Sequence, residues 1–162
     1  MKPHGLPACK LCPDWAMLSS AGEPEDATRK HAMKTVLVVD DDALVLESID
    51  LLLSMVEGFR SIRALDIESA RSDLRQTRID VLVADVILAG STTGIELCER
   101  AIESHPAIAI VVISADNEVR CDDIPARGVF LRKPFGAEQM LDAIDAALQR
   151  ADAELHKPTR AN

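Results

Sequence analysis

TVLVVDDD, residues 35–42, is the stretch on which the fold turns. Its first five residues are apolar or β-branched, with no polar residue alternating among them, and carboxylates follow at once. A short run of this kind fits a strand buried on both faces, as in a parallel sheet covered by helices. The same pattern returns as DVLVAD at 80–85 and IAIVVI at 108–113. Arg60–Ala64 is a weaker strand suited to an edge, and Val129–Arg132 is a short fifth strand.

Helical spacing occupies the intervals. Ile49, Leu52, Leu53 and Val56 recur at helical positions, with Gly58 placed to end that helix. Asp66 is positioned to cap a helix that turns Ile67, Ala70 and Leu74 inward. Gly94 opens a helix with Ile95, Cys98 and Ile102 on one face. Ala137, Met140, Leu141, Ile144, Ala147 and Leu148 form the clearest stripe of all. Five strands alternating with helices predict an α/β fold, a five-stranded parallel sheet with helices on both faces. Right-handed crossovers favour the doubly wound order 2-1-3-4-5, with a ligand site beyond the carboxyl ends of strands 1 and 3. Pro125 follows Asp122, Asp123 and Ile124 between strands 4 and 5, so the helix there is expected to be shortened.

Composition agrees. Of 162 residues, 48% are hydrophobic but only 2% aromatic, so the core must be aliphatic. Charges balance in residues 1–33, so the formal net charge of −9 lies wholly in 34–162. An acidic domain is a poor partner for nucleic acid or an anionic membrane. There is no apolar leader and no run of about 18 apolar residues. These features set the expectation of a cytoplasmic protein with no nucleic-acid or membrane partner. Residues 1–33 contain four prolines and no sustained periodicity, which predicts a disordered or non-native extension, with Met33 an alternative start. The expected boundaries are 34–151 for the folded domain and 152–162 for a short flexible tail. Cys9 and Cys12 make half a zinc site that His4 and His31 would have to complete. Cys98 and Cys121 read as buried or partly buried thiols.

The strand ends carry the chemistry. Strand 1 ends in Asp40, Asp41 and Asp42, strand 3 in Asp85, strand 4 in Ser114, and Lys133-Pro134 follows strand 5. None of these side chains is needed to build a sheet. Clustered carboxylates repel one another unless a cation neutralises them, and Mg²⁺ suits oxygen ligands beside phosphate. A carboxylate beside such a metal and a lysine can accept a phosphoryl group, and Asp85 on the central strand is the best nucleophile. Taken singly, Asp40–Asp42 also fit a helix N-cap, and Phe130 also fits a core residue.

VLVVDDD at 36–42, VLVADVILAG at 81–90, VVISA at 111–115 and FLRKPF at 130–135 resemble the response-regulator receiver domain, a flavodoxin-like fold. The likeness runs from about Lys34 to Arg150. It implies a phosphorylation switch. Asp85 would be the phosphoacceptor, and Asp40, Asp41, Asp85 and the Ile87 backbone carbonyl would hold Mg²⁺. Ser114 and Lys133 would bind the phosphoryl group, Ser114 and Phe130 would switch, and the bond to Pro134 would be cis. The implied partners are a histidine kinase or histidine phosphotransfer protein and an unknown downstream protein. The alternative is a pseudo-receiver that binds partners without phosphorylation. A Mg²⁺-dependent phosphatase is disfavoured, because Ile87 stands where such enzymes place an acid/base, so no separate substrate turnover is expected. Asp116, two residues after Ser114, joins Ile87 as a position that influences phosphoryl lifetime. Three departures stand out. Ala89 replaces a usual Pro with Gly94 one residue late, the strand 4–5 segment is short, and only ADAELHKPTRAN follows Arg150. The last sets the expectation of a single-domain type without an effector module.

Overall fold

The computed structural model describes residues 33–90 and 92–156. The expectations for residues 1–32, including the zinc half-site at Cys9 and Cys12, and for the tail beyond 156 lie outside the described residues.

The elements run β1 (Lys34–Val39), α1 (Ala43–Ser54), β2 (Phe59–Ala64), α2 (Ile67–Gln76), β3 (Val81–Asp85), α3 (Gly94–Ser104), β4 (Ala109–Ser114), β5 (Val129–Arg132) and α4 (Ala137–Leu155). All strand pairs are parallel, and the order is β2-β1-β3-β4-β5. The doubly wound topology expected from the apolar runs is therefore the observed one. Successive strand residues point to opposite faces, which divides each run between two cores. Leu37, Leu82, Ala84, Ile110 and Val112 pack with α2 and α3. Val36, Val38, Val83, Val111 and Ile113 pack with α1 and α4. Both faces are covered, so every residue of β3 and β4 is buried, and polar alternation would have left buried groups unpaired.

Local chemistry fixes the helix starts. Asp42 caps α1 by accepting from Leu44 N at 2.9 Å, and Asp66 caps α2 by accepting from Ser69 N at 2.7 Å. A reciprocal capping box of Thr93 and Glu96 starts α3. Gly58 does not end α1 as its place in the sequence suggested. The helix stops at Ser54 with Met55 at its C-cap, and Gly58 takes a positive φ of 92° in the turn before β2. Helix α4 runs on to Leu155 and so includes residues 152–155, placed in the tail by the expected boundary.

The segment between β4 and β5 departs furthest from a regular α/β unit. Its shortening is complete: the described residues hold one 3₁₀ turn there, Cys121–Asp123, and no α-helix. Arginines replace the missing helical bonds. Arg132 donates to Asp116 O at 2.9 Å and to Val119 O at 3.3 Å. Arg127 donates to Pro106 O and Ile108 O, and Arg150 donates to Gly128 O. Ile124 plugs the core beneath the turn. Cys98 is fully buried as expected, whereas Cys121 is exposed, because the 3₁₀ turn has no inward face.

Candidate functional site

Asp40 follows the last residue of β1, and its backbone N–H donates to Ala64 O at 3.2 Å, extending the ladder by one residue. The side chain is fully buried, and its Oδ1 accepts from Asp42 N at 2.9 Å. Asp85 ends β3 on the adjacent central strand and is nearly buried. Asp41, the residue after Asp40, is exposed. One carboxylate oxygen from each of Asp40, Asp41 and Asp85 can be chosen so that all lie within 4.8 Å of one another.

Lys133 joins the cluster through its ammonium group. Its Nζ donates to Asp40 Oδ2 at 2.7 Å and to Asp85 Oδ2 at 2.9 Å. Its backbone N–H donates to Ser114 O at 2.9 Å, and the bond to Pro134 is cis. Burial pushes the Asp85 carboxyl above its ordinary range, with Asp40 adding to the effect against the pull of Lys133. Burial alone would lower the Lys133 ammonium, but its bonds to Asp40 and Asp85 hold it above its usual value. Three carboxylates against one ammonium leave two negative charges uncompensated, which matches one divalent cation. The all-oxygen donor set, with one carboxylate open to solvent, suits a hard ion that keeps part of its water shell.

The remaining expected residues sit around this core. Ser114 ends β4 beside Asp85, fully buried, and its Oγ accepts from Asp116 N at 3.0 Å. No described residue accepts a hydrogen bond from that hydroxyl. The Ile87 side chain is exposed, and its N–H faces Asp85 Oδ1 at 3.4 Å. Phe130 is half-buried on β5 against the α2–α3 core, with the Arg132 guanidinium 5.4 Å from its ring centre. It is not brought into the carboxylate cluster.

One residue was read from the sequence as a helix opener that falls one place late in its loop, and not as a close neighbour of Asp85. Gly94 starts α3 against the backbone of Asp85. Its N–H donates to Val86 O at 3.1 Å, and a Cβ there would lie 1.8 Å from the Asp85 carbonyl oxygen. The signal available was a glycine just after a loop that follows a buried strand. Arg132 was likewise unmarked, because its carbonyl partners lie 13 and 16 residues away along the chain.

Comparison with known proteins agrees with this geometry. The family model of the response regulator receiver domain matches residues 36–145. The response regulator GtcR of Aneurinibacillus migulanus is 30% identical over 122 residues, covering 73% of this chain and 49% of GtcR. The DNA-binding response regulator MtrA of Mycobacterium tuberculosis is 30% identical over 128 residues, covering 74% of this chain and 52% of MtrA. The chain thus spans about half the length of the curated relatives it matches. The crystal structure of a response regulator receiver protein from Sinorhizobium medicae superposes with a TM-score of 0.66 at 25% identity, covering 75% of this chain and 96% of that one. No helix among the described residues is long and apolar enough to cross a membrane. Fold, acidic cluster, lysine and family match converge: this chain belongs to the response regulator receiver domain family.

Proposed function

We propose that the protein is a phosphorylation switch of a two-component phosphorelay, taking a phosphoryl group from a phosphohistidine partner onto Asp85. The observation that carries the reading is Lys133 Nζ shared between Asp40 and Asp85 at 2.7 and 2.9 Å, beside the open carboxylate of Asp41. Sheet geometry asks for none of these contacts.

In the transfer, an Asp85 carboxylate oxygen attacks phosphorus as the P–N bond to the donor imidazole breaks. The electron pair of that bond stays on the ring, which leaves as neutral imidazole because its other nitrogen already carries a proton, and Asp85 becomes an acyl phosphate. Asp40, Asp41 and Asp85, with the Ile87 carbonyl, would hold Mg²⁺, which when bound offsets charge on the phosphoryl oxygens. Lys133 supplies a further positive charge beside Asp40 and Asp85. Once Asp85 carries the group, the added negative charge draws Lys133 away from its shared position. The unengaged hydroxyl proton of Ser114 is placed on the neighbouring strand to donate to a phosphoryl oxygen. Movement of Ser114 disturbs Asp116, which Arg132 holds through its carbonyl, and Arg132 covers Phe130. That chain of contacts joins the site to the helix-free segment before β5. Ile87 offers no acid or base, so the protein acts as a single-use acceptor and not as a phosphatase. The donor is a histidine kinase or histidine phosphotransfer protein in the cytoplasm. The acidic surface disfavours nucleic acid, and the output is a protein contact.

Incubation with acetyl phosphate and Mg²⁺ tests the reading. Intact mass should show one added phosphoryl group, labile to hydroxylamine and absent from Asp85→Asn. An unmodified wild type, or equal labelling of Asp85→Asn, overturns it and leaves the pseudo-receiver alternative.

A further inference from the structure

Asp42 is the third carboxylate of the run that follows β1, and it stands outside the cluster of Asp40, Asp41 and Asp85. It is exposed, whereas Asp40, two residues earlier, is fully buried. A buried carboxylate needs donors to its oxygens, and two described residues supply them to Asp40. Lys133 Nζ donates to Oδ2 at 2.7 Å, and the backbone N–H of Asp42 donates to Oδ1 at 2.9 Å. The second donor is main chain, so it holds the carboxylate only as firmly as the main chain at residue 42 is itself held.

The Asp42 side chain does the holding. The backbone there is extended, with φ −92° and ψ 109°, and Oδ1 accepts from Leu44 N at 2.9 Å. The carbonyl accepts from Leu46 N at 3.2 Å. One residue thus faces two ways, its N–H back to a buried carboxylate and its side chain forward onto the first turn of α1. That turn contains no acidic residue, and Ala43, Leu44 and Val45 offer no side-chain oxygen to take over the cap.

We infer that Asp42 is a positioning residue for the carboxylate cluster: by capping α1 it holds its own N–H against Asp40 Oδ1 and so presets the Asp40 carboxylate for a divalent cation. This rests on the reading of Asp40, Asp41 and Asp85 as a Mg²⁺ site. A carboxylate oxygen has two lone pairs, so Oδ1 can accept this bond and still face a cation. Groups that bond to metal ligands orient them, and removing one costs about ten- to a hundredfold in metal affinity. Loss of the Asp42 side chain keeps the N–H and removes only its anchor, so a smaller effect follows. The plainer reading is a cap that stabilises α1 and does nothing else. Asp66 supplies the comparison. It caps α2 by accepting from Ser69 N at 2.7 Å, and none of its hydrogen bonds reaches Asp40, Asp41 or Asp85.

The test is titration calorimetry of the full chain with Mg²⁺ and no phosphodonor, in about 0.15 M salt to screen exposed charge, beside urea unfolding in chelator. Asp42→Ala and Asp66→Ala should each unfold at lower urea than wild type, because each loses a cap. Mg²⁺ affinity should fall about three- to tenfold in Asp42→Ala and stay within about twofold of wild type in Asp66→Ala. Asp42→Asn and Asp42→Ser cap comparably without the charge, so both should keep affinity within about twofold of wild type. The inference is overturned by wild-type affinity in Asp42→Ala or by an equal loss in Asp66→Ala. Losses in Asp42→Asn and Asp42→Ser as large as in Asp42→Ala also overturn it, because they assign the effect to charge. Those results leave Mg²⁺ binding itself intact, whereas a wild type that binds no Mg²⁺ overturns the inference together with the metal reading.

Discussion

Replacing Gly94 by alanine places one methyl group against the backbone of Asp85. The added Cβ would lie 1.8 Å from the Asp85 carbonyl oxygen and 2.8 Å from its carbon, and real Cβ atoms essentially never come within 3.0 Å of such atoms. At least 1.2 Å of movement is therefore required, and the obstacle is backbone at the end of a fully buried strand, not a side chain that can swing aside. The first turn of α3 is the softer partner. Its outward shift would break the 3.1 Å bond from Gly94 N to Val86 O and disturb the Thr93–Glu96 capping box. Overpacking costs about 1–3 kcal/mol and a lost cap about 0.5–2 kcal/mol, so the loss should be about 2–4 kcal/mol. With a urea slope near ~2 kcal/mol/M, the unfolding midpoint should fall by about 1–2 M. Gly136→Ala is the control, since its nearest contact beyond the immediate chain is 3.8 Å away, and it should change stability by less than about 1 kcal/mol. Because the displaced atoms belong to Asp85, labelling by acetyl phosphate should also slow in the folded Gly94→Ala protein. Equal urea midpoints for Gly94→Ala and wild type, with equal labelling rates, would refute the close approach of α3 to Asp85.

Asp85 ionises above its ordinary value of 3.8 in the folded chain, chiefly through burial, so its charged form opposes folding. Its favourable contribution is complete below the unfolded value and disappears as pH rises through the folded one. In chelator-treated buffer, Asp85→Asn should therefore be more resistant to urea than wild type at pH 7, with the gain shrinking towards pH 3.8; a less resistant variant at pH 7 would contradict this. Added Mg²⁺ should stabilise wild type by about 2.7 kcal/mol at a hundred times its dissociation constant, and far less in Asp41→Ala at the same concentration. Burial pushes the Cys98 thiol up to about 12, so iodoacetamide at pH 8 should modify the exposed Cys121 and spare Cys98 until urea unfolds the chain; peptide mapping reads both. Thr93→Ala should cost about 1 kcal/mol in urea unfolding, because it removes the side-chain cap of α3.

The sequence made the sheet legible wherever burial on both faces forbade polar residues. TVLVVD, DVLVAD and IAIVVI each mark a strand to within a residue or so, and β2, exposed at the edge, reads more weakly for the same reason. The acidic site was legible on the opposite logic. Asp40, Asp85 and Ser114 are the polar groups at the buried ends of those runs, where folding alone would have selected apolar ones. Two features were not legible. Glycine identity does not say which of its two advantages is used: Gly58 uses its freedom of φ, whereas Gly94, helical in φ, uses its lack of a Cβ. The segment before β5 is the other case. Pro125 could show that a helix would not form, but not what replaces it. The replacement is a set of guanidinium bonds to carbonyls 13 to 22 residues distant, which leave no period in the sequence. Those bonds tie the segment to β5, α4 and the start of β4 in place of a helix packed on the sheet. A phosphoryl signal leaving Ser114 through Asp116 would then be carried by the hydrogen bonds of Arg132. Arg132→Ala should thus loosen residues 116–119 in amide hydrogen exchange while leaving Asp85 phosphorylation intact, and unchanged protection there would separate Arg132 from the switch.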